Sequence, residues 1–257
     1  MTKSIQQRLL DYQPPHGLLN DKVVLISGAS RGLGRAVSYA AAAVGAQTIL
    51  LARDVKQMES LADEIVAAGF HEPGIVPVNL EGAKVDDYSV IAELITERYA
   101  RLDGIVLNAG ILGEMAPLGS YDPVTWARVF QVNVHSQFLL LQALLPLMDQ
   151  PDGASIIFTS SGVGRTARAY WGAYAASKFA TEGMMQTLAD EVSERGKIRV
   201  NAINPGRVRT KMRAQAYPGE DSLTLPEPKD VTHGYLFLLG RDGMEAHGTS
   251  LDAQVKN

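Results

Sequence analysis

Residues 22–45 read KVVLISGASRGLGRAVSYAAAAVG, and this stretch predicts the fold of the whole chain. Its beginning, 22–27, is a short apolar run of the kind that forms a strand buried on both faces of a sheet. Its end, 35–45, is rich in alanine and predicts a helix that stops at Gly45. A strand, a tight turn of small residues and a helix in this order are typical of a parallel α/β sheet.

The turn between this strand and this helix carries three glycines at the spacing G-x-x-x-G-x-G. Small residues let the backbone approach a pyrophosphate, and the start of the helix offers free N–H groups and a partial positive charge. The alternative is a tight turn that only packs the helix on the strand, since 24 glycines make chance triples easy. The cofactor-binding residues predicted in this turn are Gly28, Ser30, Arg31, Gly32, Leu33 and Gly34.

The alternation of strand and helix patterns continues along the chain. Strands are predicted at 22–27, 48–52, 74–78, 104–107, 154–159, 198–203 and 249–253. Helices are predicted at 35–45, 55–68, 87–100, 124–148, 170–195 and 231–239, with a proline-containing substrate loop at about 207–229. The pattern predicts an α/β fold, a Rossmann-type doubly wound parallel sheet of about seven strands with helices on both faces.

The first twenty residues lie outside this pattern. Pro14-Pro15 disfavours a helix, so we expect residues 1–20 to form an extended N-terminal arm. Residues 21–257 are expected to form a single dinucleotide-binding domain, because they contain no linker, repeat or low-complexity segment.

Composition excludes several classes of function. The 24 Lys and Arg against 28 Asp and Glu give a net charge of −4, which offers no basic face for nucleic acid. The absence of cysteine excludes disulfides and thiolate chemistry, and the five histidines have no metal-ligand spacing, so no metal is expected. The apolar run at 138–148 is shorter than the ~20 residues that span a bilayer. We therefore expect a soluble cytoplasmic protein with neither nucleic-acid nor membrane partners.

The end of the second predicted strand bears on the choice of nucleotide. Dinucleotide-binding folds often place an acid there, which binds the ribose 2′-hydroxyl. Here Ala52 cannot accept that hydrogen bond, and Arg53 follows it. Arg53 and Arg31 suit a 2′-phosphate, which a guanidinium grips bidentately, so we predict NADP(H) rather than NAD(H). The alternative is that Arg53 is a solvated charge at the strand end.

A tyrosine and a lysine lie one helical turn apart in YAASK, residues 174–178. A phenol titrates near about 10, and a neighbouring ammonium would lower the pKa of Tyr174 towards neutral pH, where it could act as an acid or base. The strand before this helix leads into Thr159-Ser160-Ser161. Their hydroxyls could polarise a carbonyl, or they could form a turn or helix cap.

Six short motifs follow one another in the chain: SGASRGLG (27–34), NAG (108–110), VNV (132–134), TSS (159–161), YAASK (174–178) and NPGRVRT (204–210). With these motifs, residues 22–252 resemble the single-domain short-chain dehydrogenases/reductases. Longer stretches, such as RLDGIVLNAGILG, are similar to the YciK-type bacterial oxidoreductases of that family. The resemblance implies hydride transfer between NADP(H) and a small-molecule carbonyl or alcohol, and a homodimer or homotetramer.

The resemblance also implies roles for individual residues. Tyr174 matches the catalytic acid/base, and Lys178 matches the residue that lowers the pKa of the tyrosine and binds the ribose. Ser161, 13 positions before the tyrosine, matches the serine that holds the substrate oxygen. Asn133 matches the asparagine of a proton relay. Beyond the glycine turn and Arg53, the implied cofactor contacts are Asn79, Leu80, Asn108, Ala109, Gly110, Tyr174, Lys178, Pro205, Gly206, Val208 and Thr210.

Three places depart from the family pattern. Ser27 stands where a threonine is usual, and Leu107 replaces an asparagine, which puts one structural hydrogen bond in doubt. Asn79-Leu80 stands where an aspartate usually meets the adenine, and the amide of an asparagine can both donate and accept there.

Two other functions are compatible with parts of this pattern. A non-catalytic NADP-binding sensor or scaffold on the same fold needs the glycine turn but not the Tyr174–Lys178 pair. An epimerase or dehydratase uses that pair, but this branch usually has a longer substrate region than the 79 residues that follow Lys178. The basic run Arg207, Arg209, Lys211 and Arg213 indicates either a solvated loop or attraction for an acidic substrate. Met184 and Met185 are expected to contact another subunit.

Overall fold

A computed structural model describes residues 3–150, 152–194 and 197–255, and these form a seven-stranded sheet. All neighbouring strands pair in parallel, in the order β3-β2-β1-β4-β5-β6-β7. Each predicted strand is present with its ends within one residue of the prediction. The Rossmann-type doubly wound fold is thereby confirmed. The strands are β1 (Val23–Ser27), β2 (Gln47–Ala52), β3 (Gly74–Pro77), β4 (Gly104–Leu107), β5 (Ala154–Thr159), β6 (Ile198–Asn204) and β7 (Thr249–Asp252).

Helices cover both faces of the sheet, which explains why β1, β4 and β5 are almost entirely apolar. In β1, Val24 and Ile26 point into the core on one face of the sheet, whereas Val23 and Leu25 point into the core on the other face. A strand buried on both faces cannot show a polar alternation. The α-helices are α1 (Ile5–Leu10), α2 (Gly32–Ala43), α3 (Val55–Ala67), α4 (Val85–Tyr99), α5 (Pro123–Phe130), α6 (Ser136–Leu144), α7 (Gly172–Ser193), α8 (Lys211–Ala216) and α9 (Thr232–Leu239).

The N-terminal segment is not the extended arm that the sequence predicts. Helix α1 ends before the two prolines and is capped by Ser4. Leu9 is fully buried against α9, in the core beneath one face of the sheet. The side chain of Gln6 pairs with the backbone of Asp252 on the edge strand β7: its Nε2 donates to the carbonyl (2.7 Å) and its Oε1 accepts from the N–H (2.9 Å). The division at residue 20 remains a prediction, and residues 1, 2, 256 and 257 lie outside the described residues.

The helix predicted over 124–148 is divided into α5, a π-helical segment Gln131–His135, α6 and a 3₁₀ turn Leu145–Met148. In the π segment the N–H of Ser136 bonds to the carbonyl of Gln131, five residues back. The apolar pattern runs through the bulge unbroken, so the sequence does not reveal it. The predicted loop over 207–229 likewise contains a helix, α8, whose N-cap is Thr210.

Helix α7 begins at Gly172 rather than at the predicted residue 170, and the predicted end at Arg195 lies outside the described residues. The expectation that Met185 contacts another subunit is wrong, because its side chain is 1% exposed and packs in the core of its own chain. In the part of the chain that the structure describes, no helix combines the length and apolar character needed to cross a bilayer.

Candidate functional site

The predicted site residues gather at the carboxyl ends of the central strands. The chain runs outward from β1 to β3, returns to β4 on the other side of β1, and continues to β7. The carboxyl ends of β1 and β4 therefore flank the point where the winding direction reverses. In open α/β sheets a crevice forms at this point and takes the ligand.

The glycine turn after β1 brings backbone, without side chains, to this crevice. Gly28 has a φ of 70°, and a Cβ there would lie 3.0 Å from the Cα of Ala109. A Cβ on Gly34 would lie 2.2 Å from the carbonyl oxygen of Gly28, so the turn closes tightly on itself. Helix α2 starts without a side-chain cap, which leaves its first N–H groups directed outward. This is the arrangement that binds a phosphate at a helix N-terminus.

Ser27 connects the glycine turn to the segment after β4. Its Oγ accepts from the backbone N–H groups of Asn108 and Ala109, both at 3.0 Å. The Asn108 amide in turn donates to the carbonyl of Ser27 at 3.1 Å. Ser27 thus fixes the segment after β4 to the glycine turn. Leu107 is fully buried in the core.

The segment after β6 forms the opposite wall. Gly206 has a φ of 77°, and Gln254 fixes this turn by donating to the carbonyls of Pro205 (2.7 Å) and Arg207 (3.0 Å). Thr210 faces the glycine turn, because a Cβ on Gly32 would have the Cγ2 of Thr210 as its nearest atom, at 3.6 Å. The segment predicted to hold the nicotinamide therefore stands across from the start of α2, and Gln254 is a supporting residue that sequence reasoning missed. Val208, in the same segment, is buried.

The two arginines predicted to bind a 2′-phosphate are both exposed at the ends of β1 and β2. Arg53 lies 3.4 Å from the carboxylate of Glu81, which also lies 3.8 Å from Arg128. Glu81 belongs to a short turn after β3 in which the Asn79 side chain accepts from the Glu81 N–H. Leu80 is buried beside this turn. No sequence motif indicated that Glu81 would lie beside Arg53.

Tyr174, Ser161 and Lys178 meet at the carboxyl end of β5. Tyr174 and Lys178 are both buried on α7, with the Lys178 Nζ 5.7 Å from the centre of the tyrosine ring. The side chain of Ser161 lies close enough to the Tyr174 hydroxyl to lower the pKa of the phenol. Lys178 donates to the carbonyl of Thr159 at 2.7 Å, which fixes its ammonium at the end of the strand.

Asn133 lies in the π segment and connects the segment after β4 to α7. Its Oδ1 accepts from the N–H of Ile111 (2.8 Å), and its Nδ2 donates to the carbonyl of Ile111 (3.0 Å) and to Ser177 (3.0 Å). A Cβ on Gly110 would lie 3.3 Å from the Asn133 Oδ1 and 3.9 Å from the Lys178 Nζ. The structure thus brings Asn133 next to Lys178. The amide group of Asn133 fixes the backbone of the segment that lies between the two side chains.

Burial controls the ionisation of the two reactive groups. It raises the pKa of Tyr174 to about 12, although the neighbouring Ser161 side chain acts in the opposite direction. Burial also lowers the pKa of Lys178 to about 8, and the charge of Glu182 opposes that decrease. Burial thus dominates, and the near-neutral pKa that the sequence predicts for Tyr174 is not found. The phenol stays protonated at neutral pH and can donate a proton.

An apolar wall lies beside the Tyr174 ring. Trp171 packs 5.7 Å from the Tyr174 ring and 5.9 Å from the Tyr217 ring, measured between ring centres, and Met212 of α8 joins this cluster. Arg213 lies 3.7 Å from the centre of the Tyr217 ring, and both its Nε and its Nη2 donate to Glu220.

The basic run in this loop is partly neutralised by its own chain. Arg213 pairs with Glu220, and Arg209 pairs with Glu227. Two of the four basic side chains are thus compensated, which weakens the hypothesis of an acidic substrate. Trp171 lies next to Tyr174, and Tyr217 of this loop packs on Trp171.

Comparisons with known proteins agree with this arrangement. The sequence model of the family "short chain dehydrogenase" matches residues 22–221. The "uncharacterized oxidoreductase YciK" of Escherichia coli strain K12 is 46% identical over 245 residues, which cover 95% of this chain and 96% of that protein.

Solved structures are similar throughout their length. A short chain dehydrogenase from Salmonella enterica serovar Typhi CT18 has a TM-score of 0.93 at 46% identity, and the match covers 95% of this chain and all of that one. A protein of Escherichia coli CFT073 complexed with NADPH has a TM-score of 0.91 at 46% identity, over 94% of this chain and all of that one. The chain therefore belongs to the short chain dehydrogenase family and is an oxidoreductase of that family.

Proposed function

We propose that the protein is an NADP(H)-dependent carbonyl reductase or alcohol dehydrogenase in which Tyr174 is the acid/base. The observation that carries the proposal is the buried Tyr174 phenol, with the Ser161 side chain near its hydroxyl and the Lys178 ammonium 5.7 Å from the centre of its ring. The NADPH complex of the Escherichia coli CFT073 protein supports the choice of nucleotide. We further propose a cytoplasmic location and a homodimer or homotetramer.

The residues of the crevice fit a dinucleotide. The uncapped start of α2 offers backbone N–H groups to a pyrophosphate, and glycines leave room for it. Arg31 and Arg53 are exposed at the adjacent strand ends, where a 2′-phosphate would extend. When bound, NADPH supplies the hydride.

The side chains of this chain supply placement and the proton. Ser161 holds the carbonyl oxygen of the substrate by a hydrogen bond, next to the Tyr174 hydroxyl. As the carbonyl carbon is reduced, the phenol O–H bond breaks and its proton forms the O–H bond of the alcohol. The Lys178 ammonium stabilises the phenolate that remains, because an opposite charge nearby favours the ionised form. Asn133 holds the backbone at Ile111, which keeps this side of the pocket in place.

The wall of Trp171, Met212 and Tyr217 favours an apolar carbonyl substrate. Flat aromatic faces give contact area with few rotatable bonds. A screen of apolar aldehydes, ketones and quinones with NADPH tests the proposed function, and turnover of at least one is the expected result. NADPH binding without turnover of any of them would favour the sensor or scaffold alternative.

The rate of reduction is expected to fall at alkaline pH because of Lys178. Its pKa of about 8 is reached long before the Tyr174 phenol ionises, whose pKa is about 12. The kcat/KM for the carbonyl at saturating NADPH should be constant below this pH and fall by about tenfold per pH unit above it. In Lys178→Arg the guanidinium keeps its charge, so kcat/KM should be lower at every pH but should lack this alkaline decrease, the alkaline limb of the pH profile. An unchanged alkaline limb in Lys178→Arg would assign the limb to another group.

Cofactor preference is expected to depend on Arg31 and Arg53. Each replacement by alanine should weaken NADPH binding about tenfold to a hundredfold, because a charge-assisted hydrogen bond contributes about 1.5–3 kcal/mol. NADH lacks the phosphate, so its binding should not change. Glu81→Gln should tighten NADPH binding, since it frees Arg53 from its carboxylate partner.

Titration of nucleotide fluorescence with NADPH and NADH in parallel measures these effects. Arg98→Ala is the matched control, because Arg98 lies at the end of α4, away from the carboxyl edge of the sheet. Equal losses of NADPH and NADH affinity in Arg31→Ala and Arg53→Ala would contradict a 2′-phosphate site.

A further inference from the structure

A buried carboxylate lies on α7 next to the reactive residues. Glu182 is 6% exposed, and its Oε1 accepts hydrogen bonds from Ser160, from Ser250 (2.8 Å) and from the Nε of Arg165 (3.4 Å). We call Ser160, Arg165, Glu182, Ser250 and Asp252 the Glu182 cluster. A buried charge is costly unless it is paired and hydrogen-bonded, and all three donors converge on the same oxygen here.

Arg165 extends this cluster to the edge of the sheet. Its guanidinium donates to Ser250 (2.9 Å), to the Asp252 carboxylate (2.8 Å) and to the carbonyl of Leu251 (2.9 Å). Asn204 of β6 also donates to the Asp252 carboxylate at 2.8 Å. The cluster therefore joins the segment after β5 to the ends of β6 and β7 through side chains that are mostly buried.

The cluster encloses the backbone around two reactive residues. Ser160 directly precedes Ser161, so the hydrogen bond from Ser160 to Glu182 holds the chain immediately before the serine. Glu182 lies one helical turn after Lys178. A Cβ on Gly164 would lie 2.8 Å from the Lys178 Cβ, so the segment that follows Ser161 touches α7 at the lysine.

We propose that Glu182 is a positioning residue of the reaction centre, which holds Ser161 in register with Tyr174 through Ser160 and keeps a negative charge beside the Lys178 ammonium. This inference rests on the proposed function. The mechanism above does not use Glu182, and its carboxylate reaches neither the Tyr174 hydroxyl nor the substrate side of the pocket directly. It acts through the residues that it holds.

The negative charge of Glu182 acts to raise the pKa of Lys178. Lys178 and Glu182 are faced by the Tyr174 ring on α7, the Thr159 carbonyl at the end of β5, Ser160 directly after it, Arg165 from the following turn and Ser250 from β7. Arg165 is shared with Asp252, so its positive charge is divided between two carboxylates. Glu182 opposes the decrease that burial causes in the pKa of Lys178. Without this charge, Lys178 loses its proton at lower pH.

Glu182→Gln tests both parts of the proposal, because it keeps the shape of the side chain and removes its charge. We expect kcat to fall about tenfold to a hundredfold, since small displacements of a reactive group have effects of this size. The alkaline limb of kcat/KM should move to lower pH by about one unit. The Kd for NADPH should stay within about twofold, because the contacts of the glycine turn are untouched. Glu191→Gln, an exposed change of the same charge on α7, is the matched control and should leave all three quantities as they are.

Ser160→Ala separates position from charge. It removes the hydrogen bond to Glu182 but leaves the carboxylate and Arg165 in place, so kcat should fall while the alkaline limb stays where it is. This variant also carries the test if Glu182→Gln does not fold. Unchanged kcat in Ser160→Ala, or an alkaline limb in Glu182→Gln that coincides with that of the unmodified protein, would overturn the proposal.

A readout without turnover distinguishes failure of this inference from failure of the proposed function. The ¹⁵N NMR titration of the Lys178 Nζ in lysine-labelled protein, assigned with Lys178→Met, reports the ionisation of Lys178 directly. We expect its midpoint to be lower in Glu182→Gln than in the unmodified protein and in Glu191→Gln. Equal midpoints would refute the role of Glu182 even if the enzyme reduces carbonyls, and a lowered midpoint would support it even if no substrate has been found.

Discussion

Replacing Tyr174 by phenylalanine is expected to lower kcat for carbonyl reduction by about a thousandfold, the middle of the range for loss of a general acid. The variant keeps the ring, which packs against Trp171 and lies 5.7 Å from the Lys178 Nζ, and removes only the hydroxyl beside Ser161. NADPH affinity and the melting temperature should therefore change little. Steady-state kinetics together with nucleotide fluorescence and thermal unfolding measure the three quantities.

Tyr88→Phe is the matched control for this experiment. Tyr88 is also a buried tyrosine whose pKa burial raises to about 12, but it lies on α4 in the core. Among the described residues its hydroxyl has no hydrogen-bond partner. Loss of that hydroxyl should leave kcat as it is. If Tyr174→Phe kept more than about a tenth of the activity, another group would have to donate the proton.

Gly34→Ala should abolish the nucleotide site, because the added Cβ meets backbone rather than a movable side chain. It would lie 2.2 Å from the Gly28 carbonyl oxygen and 2.6 Å from the Nδ2 of Asn108. Relief of this contact requires the turn and α2 to separate. We expect the free energy of unfolding to fall by about 2–4 kcal/mol and NADPH affinity to fall by more than about tenfold. Thermal unfolding and nucleotide titration measure the two effects.

Gly119→Ala provides the comparison, since a Cβ on Gly119 meets no atom within 4 Å. It should change the free energy of unfolding by less than about 0.5 kcal/mol and leave NADPH binding intact. Unimpaired NADPH binding in Gly34→Ala would show that the turn can open at little cost, contrary to the close approach described above.

The order of elements could be predicted from the sequence because strand and helix patterns are local. Apolar runs such as GIVL at 104–107 and ASIIFT at 154–159 predict their strands to the residue. The π segment at 131–135 could not be predicted in this way, because the apolar residues around it keep a helical period. Helix α1 was not predicted because Pro14-Pro15 was taken as evidence against a helix in the whole N-terminal segment. The burial of the residues before these prolines depends on α9 and β7, which lie at the other end of the chain.

For the site, motifs indicated which side chains meet but not what surrounds them. Tyr174, Ser161 and Lys178 come together as the motif spacing led us to expect. The partners of Glu182 come from two separate stretches of sequence, 160–165 and 250, and only the sheet brings them within reach of one another. The ionisation of Tyr174 was mispredicted for a related reason, because motif reasoning counts the nearby ammonium and not the loss of solvent around the phenol.

The Gln6 amide has a consequence for how molecules of this protein behave towards one another. An edge strand of a sheet exposes unpaired N–H and C=O groups on which a strand of another molecule can add, and chains that do so aggregate. Gln6 occupies both of these groups of Asp252 at the outer edge of β7. The first helix of the chain therefore protects the last strand from non-native strand addition at this position, which favours a protein that stays dispersed when concentrated.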